Sequence, residues 1–330
     1  MASTAPPPTP ELLDLTMDNI TPNTIRINAQ CPDARLRYLM ERLVTHLHDL
    51  ARETRLSTAE WTAAIQFLTR TGQTCSAVRQ EFILLSDVLG LSLLVDAVNH
   101  PKPASCTEGS VLGPFHTHDA PVVAAGARLS ADPAGEPLLV LCAVRDRAGR
   151  PIADVKVDIW ETDASGHYDV QHEGRDGPSE RGVMRSGEDG GFWFRAIVPV
   201  SYPIPTDGPV GQLLQMLGRH PWRPAHMHFM LEKPGWDHLV TAVYVRGDPY
   251  EKTDAVFGVK QSLIVDLEPI DDATAAQYGV SLDTKVLRQE FVLASEKETA
   301  ELRDKNAVEA LKSLGLNMKL VDHLPVPDLD

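Results

Sequence analysis

Between Ala34 and Leu50 the apolar residues fall three and four apart. Leu36, Leu39, Met40, Leu43, Leu47 and Leu50 share one face, which predicts an amphipathic helix. Ser57-Thr58-Ala59-Glu60 is a capping box that opens a second helix. A third is expected from about Ser76 to Leu89 and a fourth over Leu91–Val98. Residues 1–30 are rich in Pro, Thr and Asn without a sustained period, and read as an arm that is extended or packs on a neighbour. Residues 101–137 carry many Pro and Gly, as a loop or covering segment would. Thereafter the period drops to two. Short alternating runs cover Leu138–Arg145, Val155–Glu161, Gly182–Ser186, Phe192–Val198, His226–Leu231, Leu239–Val245, Ser262–Leu267 and Leu287–Leu293. Turn signals such as D-R-A-G-R and G-E-D-G-G separate them, and this spacing predicts an antiparallel β-sandwich. One helix, capped by Asp207, interrupts the strands, and an amphipathic helix near Thr299–Leu314 closes the chain.

The pattern therefore divides the chain. An N-terminal arm and helical dimerisation domain occupies residues 1–105, and a β-sandwich occupies 106–330, giving a mainly β protein with added α. The helices form too thin a layer to enclose a large core alone, so they should pack on the rest or on a second copy. With 330 residues, 43% hydrophobic and 23% charged, the composition is that of a globular chain and not a disordered one. The charge-free run V-L-G-L-S-L-L-V between Asp87 and Asp96 has eight residues, whereas a bilayer needs about 20. The first residues show no basic n-region and no apolar h-region, and the last show no retention or peroxisomal tripeptide. The net charge of −15 opposes nucleic-acid binding and reads as solubility. Cys31, Cys75, Cys106 and Cys142 form no C-x-x-C motif and suit a reduced, cytoplasmic setting.

Chemistry concentrates in a few places. In R-P-A-H-M-H-F-M, His226 and His228 are two apart on an expected strand, so their imidazoles point to one face at a separation that suits one metal. Two surface histidines would give the same string, so this signal is weak by itself. A second pair, His116 and His118, lies in a loop and reads as surface or pocket-lining. Tyr168 and Tyr202 each follow the end of an expected strand, where a sandwich clusters its binding loops. H-E-x-x-H, G-x-S-x-G, Walker A and G-x-G-x-x-G motifs are absent.

W-E-T-D-A-S-G-H-Y-D, S-Y-P-I-P-T-D-G-P-V-G and R-P-A-H-M-H-F resemble the intradiol ring-cleaving dioxygenases over roughly Arg35 to Ala294. The resemblance implies a non-haem Fe(III) bound by Tyr168, Tyr202, His226 and His228. It implies that Tyr202 leaves the metal to take a substrate proton and that Arg223 stabilises negative charge developing on the substrate. Two phenolates are hard anionic donors that favour trivalent iron, and a bound cation makes tyrosine ionise at neutral pH. The substrates implied are a small aromatic diol or triol and dioxygen.

Q-E-F-I-L-L-S-D-V-L-G, V-L-G-P-F and D-A-V-F-G-V-K resemble the hydroxyquinol-cleaving branch more narrowly. That branch implies a substrate pocket lined by Leu84, Asp87, Val111, Leu112, Gly113, Pro114, Phe115, Ile204, Pro205, Arg223 and Val256. Asp87 would accept a hydrogen bond from a third ring hydroxyl; the competing reading is a solvated or capping Asp. One departure is Ala242, where many relatives carry Gln, so an outer hydrogen bond is missing. The resemblance also implies a homodimer through the N-terminal helices with a lipid at the interface. A colourless transthyretin-like binding sandwich and a zinc hydrolase remain the alternatives, with catechol the alternative substrate.

Overall fold

In a computed structural model the described residues are 14–76, 79–130, 132–174 and 177–328. The helices are α1 (Ile20–Asn28), α2 (Ala34–Glu53), α3 (Thr58–Thr74), α4 (Glu81–Val88), α5 (Leu91–Asn99), α6 (Pro209–Met216), α7 (Asp272–Tyr278) and α8 (Glu296–Ser313). The strands are β1 (Pro137–Asp146), β2 (Lys156–Trp160), β3 (Arg181–Arg185), β4 (Gly191–Ile197), β5 (Tyr202–Pro203), β6 (Trp222–Arg223), β7 (His226–Glu232), β8 (Leu239–Val245), β9 (Ile264–Val265), β10 (Leu267–Pro269), β11 (Lys285–Leu293), β12 (Met318–Val321) and β13 (Leu324–Pro327). The chain forms two compact units: residues 1–67 with 304–330, and residues 68–303.

The first unit is built on α2. Its N-cap Asp33 accepts the Leu36 N–H, as a short polar side chain does at a helix start. The expected arm is corrected here: Ile20–Asn28 is helical, and residues 1–13 lie outside the described residues. This helix has poor formers and no side-chain cap, so its own propensity is low. It is held by α2 instead, through Thr21 Oγ1 with His48 Nδ1 (2.9 Å) and through Arg52, which donates to Met17 O and Thr21 Oγ1. The closing helix also proves not to be last. Beyond it β12 and β13 form a hairpin whose two turn residues, Asp322 and His323, both have positive φ, as a two-residue primed turn requires.

The second unit is the sandwich. A four-stranded sheet in the order β10-β11-β1-β4 faces a five-stranded sheet in the order β3-β2-β7-β8-β9. Leu138, Val140 and Phe194 of the first sheet and Met227, Phe229 and Leu231 of the second meet in one core. Most pairs are antiparallel, as the alternation predicts, but β1 with β11 and β8 with β9 are parallel. Those pairs are joined by long crossing segments, not by hairpins, and a period-two pattern carries no sign of strand direction. On β7 the two-residue period sends Met227 and Phe229 into the core and His226 and His228 to the opposite face.

Two smaller expectations are also revised. The helix expected from Ser76 begins at Glu81, because Ser76 forms a turn in which its N–H donates to Arg79 O and its Oγ accepts the Arg79 N–H. Asp207 does not cap α6. The N-cap is Gly208, and the Asp207 carboxylate pairs with Arg79.

Candidate metal centre

Three elements bring four side chains to one point. Tyr168 begins a 3₁₀ turn over Asp169–Gln171, and its N–H donates to Gln171 Oε1 at 2.8 Å. Tyr202 opens β5 and pairs across to Arg223 on β6. His226 and His228 come from β7. Tyr168 Oη lies 3.2 Å from Tyr202 Oη and 3.5 Å from His226 Nε2, and the two Nε2 atoms are 3.1 Å apart. All four side chains are at most 3% exposed.

The protonation states suit a cation. His226 Nδ1 lies 2.7 Å from Pro224 O, so the N–H there donates to the carbonyl and leaves a lone pair on Nε2. Burial, reinforced by the Arg223 charge, pushes His226 down to about 3, and burial with its neighbours His226 and Arg223 holds His228 well below the usual imidazole range. Both rings are therefore neutral, as imidazoles able to bind a cation must be. Burial and the adjacent Tyr202 hold the Tyr168 phenol well above 10 in the protein alone. A buried phenol of this kind ionises when a cation shares its oxygen. Among the described residues no group of three or more His, Cys, Asp or Glu could hold a metal, so a metal here requires the tyrosine oxygens.

Arg223 stands over this cluster, only 2% exposed. Its Nη1 donates toward Tyr202 Oη (3.3 Å) and His226 Nε2 (3.0 Å). The Asp254 carboxylate holds its other side, from Oδ1 to Nε and from Oδ2 to Nη2. Nη2 also reaches Tyr244 Oη, which bonds Ser110 Oγ, which donates to Gly258 O. A Cβ at position 258 would come within 2.5 Å of Tyr244 Oη, so only glycine permits this approach. Asp254, Tyr244 and Ser110 escape a reading by motif because they are far apart in sequence and ordinary in type. D-A-V-F-G-V-K contains Asp254, but only the fold turns it toward Arg223.

The pocket residues expected from the resemblance occupy several positions. Leu84, Val111, Ile204 and Val256 lie in one buried apolar cluster with Val88, Val210 and Leu214. Phe115 stacks on Tyr168, ring centroids 4.7 Å apart. A Cβ at Gly113 would sit 3.9 Å from His228 Nε2. Pro114 and Pro205 are half-buried, and Leu112 is 39% exposed, outside the buried wall. Asp87 on α4 is 2% exposed, and burial pushes its carboxyl up to about 6 against the opposing pull of Ser92 and Arg223.

Further residues support this arrangement. Arg181 is buried, pairs with Asp169 and also reaches Phe115 O and Thr117 Oγ1. It thus ties the turn after Tyr168 to the pocket wall. Trp160 stacks flat on His228, with centroids 4.7 Å apart and planes 3° from parallel. His116 packs edge-on against Trp160 and bonds Asp158 at 3.1 Å, while His118 is exposed, so this pair lies behind the cluster. Ala242 faces His228 across β7 and β8, and His228 Nδ1 has no hydrogen-bond partner among the described residues.

Comparison with known proteins gives the family of the chain. Residues 111–290 match the family described as Dioxygenase, and residues 33–107 match Catechol dioxygenase N terminus. An intradiol ring-cleavage dioxygenase of Aspergillus niger is 64% identical over 321 residues, covering 97% of this chain and 98% of its own. A 6-chlorohydroxyquinol 1,2-dioxygenase of Cupriavidus pinatubonensis is 55% identical, covering 78% of this chain and 93% of its own. Among solved structures, hydroxyquinol 1,2-dioxygenase from Pseudomonas putida matches with a TM-score of 0.78 and 43% identity, over 85% of this chain and 99% of that one. The chain belongs to the intradiol ring-cleaving dioxygenases, a family that uses non-haem iron.

Proposed function

We propose that the protein cleaves hydroxyquinol between its two adjacent hydroxylated carbons with dioxygen, giving 3-hydroxy-cis,cis-muconate and its keto tautomer maleylacetate. The observation that carries this substrate is Asp87, a buried carboxyl beside an otherwise apolar wall. An apolar side chain would suffice for catechol, whereas an acceptor at this place selects a ring with a third hydroxyl. The names of the relatives from Cupriavidus pinatubonensis and Pseudomonas putida support the same reading.

Tyr168, Tyr202, His226 and His228 would hold Fe(III), and two anionic oxygens with two neutral nitrogens fit that ion better than a divalent one. When bound, ferric iron supplies a Lewis acid and oxidant that activates the chelated catecholate. The chain does the rest. Tyr202 accepts one substrate proton at its phenolate oxygen. Arg223, fixed by Asp254, faces the same oxygen and offsets negative charge that develops on the substrate. Leu84, Val111, Ile204 and Val256 exclude water, which strengthens each of these interactions.

The residue 1–105 segment serves dimerisation in this proposal. Leu36, Leu39, Leu43, Leu47 and Leu50 are each about half exposed along one face of α2. Such a row is costly in water and suits a second copy of the chain, with a lipid at the junction. No helix among the described residues is long and apolar enough to cross a membrane. All four cysteines are free, which supports a cytoplasmic setting.

Initial rates with oxygen uptake on hydroxyquinol and catechol test the substrate. A higher kcat/KM on hydroxyquinol is expected. Equal or higher values on catechol would make the protein a catechol 1,2-dioxygenase that yields cis,cis-muconate.

A further inference from the structure

Two wall segments of the pocket, helix α4 and the stretch from Tyr202 into α6, are fastened together at a point none of the expected pocket residues occupies. Glu81 opens α4 and is fully buried. Its Oε2 accepts two bonds from Arg79, from Nε at 3.1 Å and Nη2 at 3.0 Å. Its Oε1 accepts the backbone N–H of Val210 at 3.1 Å, in the first turn of α6. Arg79 continues outward, donating from Nη1 and Nη2 to both oxygens of Asp207 at 2.8 and 3.0 Å.

The arrangement replaces an ordinary helix cap. A helix start needs acceptors for its free N–H groups, and Gly208 at the N-cap has no side chain to offer one. Glu81 supplies the acceptor from a different helix. The glycine is required by this contact, because a Cβ at position 208 would lie 2.4 Å from Glu81 Oε1. Further along α4, Leu84 packs in the cluster shared with Ile204 and Val210, and Asp87 follows one turn later. A buried carboxylate with both oxygens engaged is stiff, since losing either partner leaves a charge unsolvated.

We propose that Glu81 is a positioning residue for ring selectivity: it fixes the helix that carries Asp87 against the segment that carries Tyr202. The proposal rests on the reading of Asp87 as the acceptor for the third hydroxyl. A carboxylate that reads a hydroxyl away from the reacting carbons discriminates only if its position relative to them is held, and a displacement of about 1 Å can cost on the order of a hundredfold in rate.

The test compares kcat/KM on hydroxyquinol and on catechol for the iron-loaded wild type, E81Q, E81D, D87A and the double variant E81Q/D87A, with iron content and the visible absorption band recorded for each. E81Q keeps the volume but turns a donor toward Arg79 or Val210; E81D keeps the charge and shortens the reach to Val210. Each is expected to lower the hydroxyquinol-to-catechol ratio about tenfold, with iron content and band unchanged. The double variant is expected to lose no more selectivity than D87A alone. If E81Q does not fold, E81D carries the test. Equal losses on both substrates, an unchanged ratio in E81D, or multiplying losses in the double variant would each overturn the proposal. An unchanged ratio in D87A overturns the Asp87 reading and this proposal with it. A lowered ratio in D87A with none in the Glu81 variants overturns this proposal alone.

Discussion

Asp254 grips Arg223 with both carboxylate oxygens, 3.1 Å to Nε and 3.3 Å to Nη2, and so leaves Nη1 alone to face Tyr202 and His226. Burial alone would raise the Asp254 carboxyl, and the Arg223 charge outweighs it, holding the group below the usual carboxylate range. The D254N variant leaves a buried guanidinium without its counter-ion. It is expected to lose about 3–5 kcal/mol of stability in thermal or denaturant unfolding, and kcat is expected to fall about a hundredfold. The sign with pH follows from the lowered value. The pair's stabilisation is present above the unfolded carboxylate range and is lost as pH falls through the lower folded value, and D254N lacks this acid limb. Wild-type kcat in D254N would show that Arg223 needs no anchor.

Asp87 behaves in the opposite way. Its carboxyl is raised to about 6 by burial, so the folded protein binds a proton more tightly than the unfolded chain. Stability conferred by the protonated form is full below the unfolded value and is lost as pH rises through about 6. Ionisation of Asp87 at neutral pH therefore costs up to about 3 kcal/mol, and D87N is expected to unfold at a higher temperature than wild type at pH 7.5. Function shows the converse. The hydroxyquinol-to-catechol ratio of kcat/KM should rise as pH passes about 6 in the wild type and stay flat in D87N. The charged groups that act on Asp87 are Arg223 and Asp254, and neither titrates in that window.

On α2, the double change L43D/L47D places two charges in the exposed leucine row. Light scattering of the wild type is expected to give the mass of two chains, and the variant that of one. A wild-type mass of one chain would remove the dimer reading.

Much of the sandwich is legible in sequence because half-buried strands alternate. The run from Leu138 to Val144 is apolar throughout and bounded by turn signals, and β1 turns Leu138, Val140, Cys142 and Val144 toward the core. Strand direction is not encoded in that alternation, so the parallel pairing of β1 with β11 emerges only in the fold. α1 is hidden because its Thr and Asn residues are poor helix formers, and α2 supplies what they lack. The donor residues Tyr168, Tyr202, His226 and His228 can be named because each sits inside its own local motif. Asp254, Arg181 and Glu81 cannot, because their meaning lies in partners 31, 12 and 129 positions away. Asp207 shows the same limit, since its spacing is that of a cap but the nearby Arg79 claims its carboxylate.

In the proposed centre two phenolates and two imidazoles, from Tyr168, Tyr202, His226 and His228, hold ferric iron. The most direct measurement is the visible absorption spectrum of the iron-loaded protein beside that of Y168F, with iron quantified in both. The wild type is expected to be red-brown from phenolate-to-iron charge transfer, with one iron per chain. Y168F should lose or strongly shift the band together with turnover. A colourless wild type that is active without iron, or a Y168F protein with the band and turnover intact, would contradict the account.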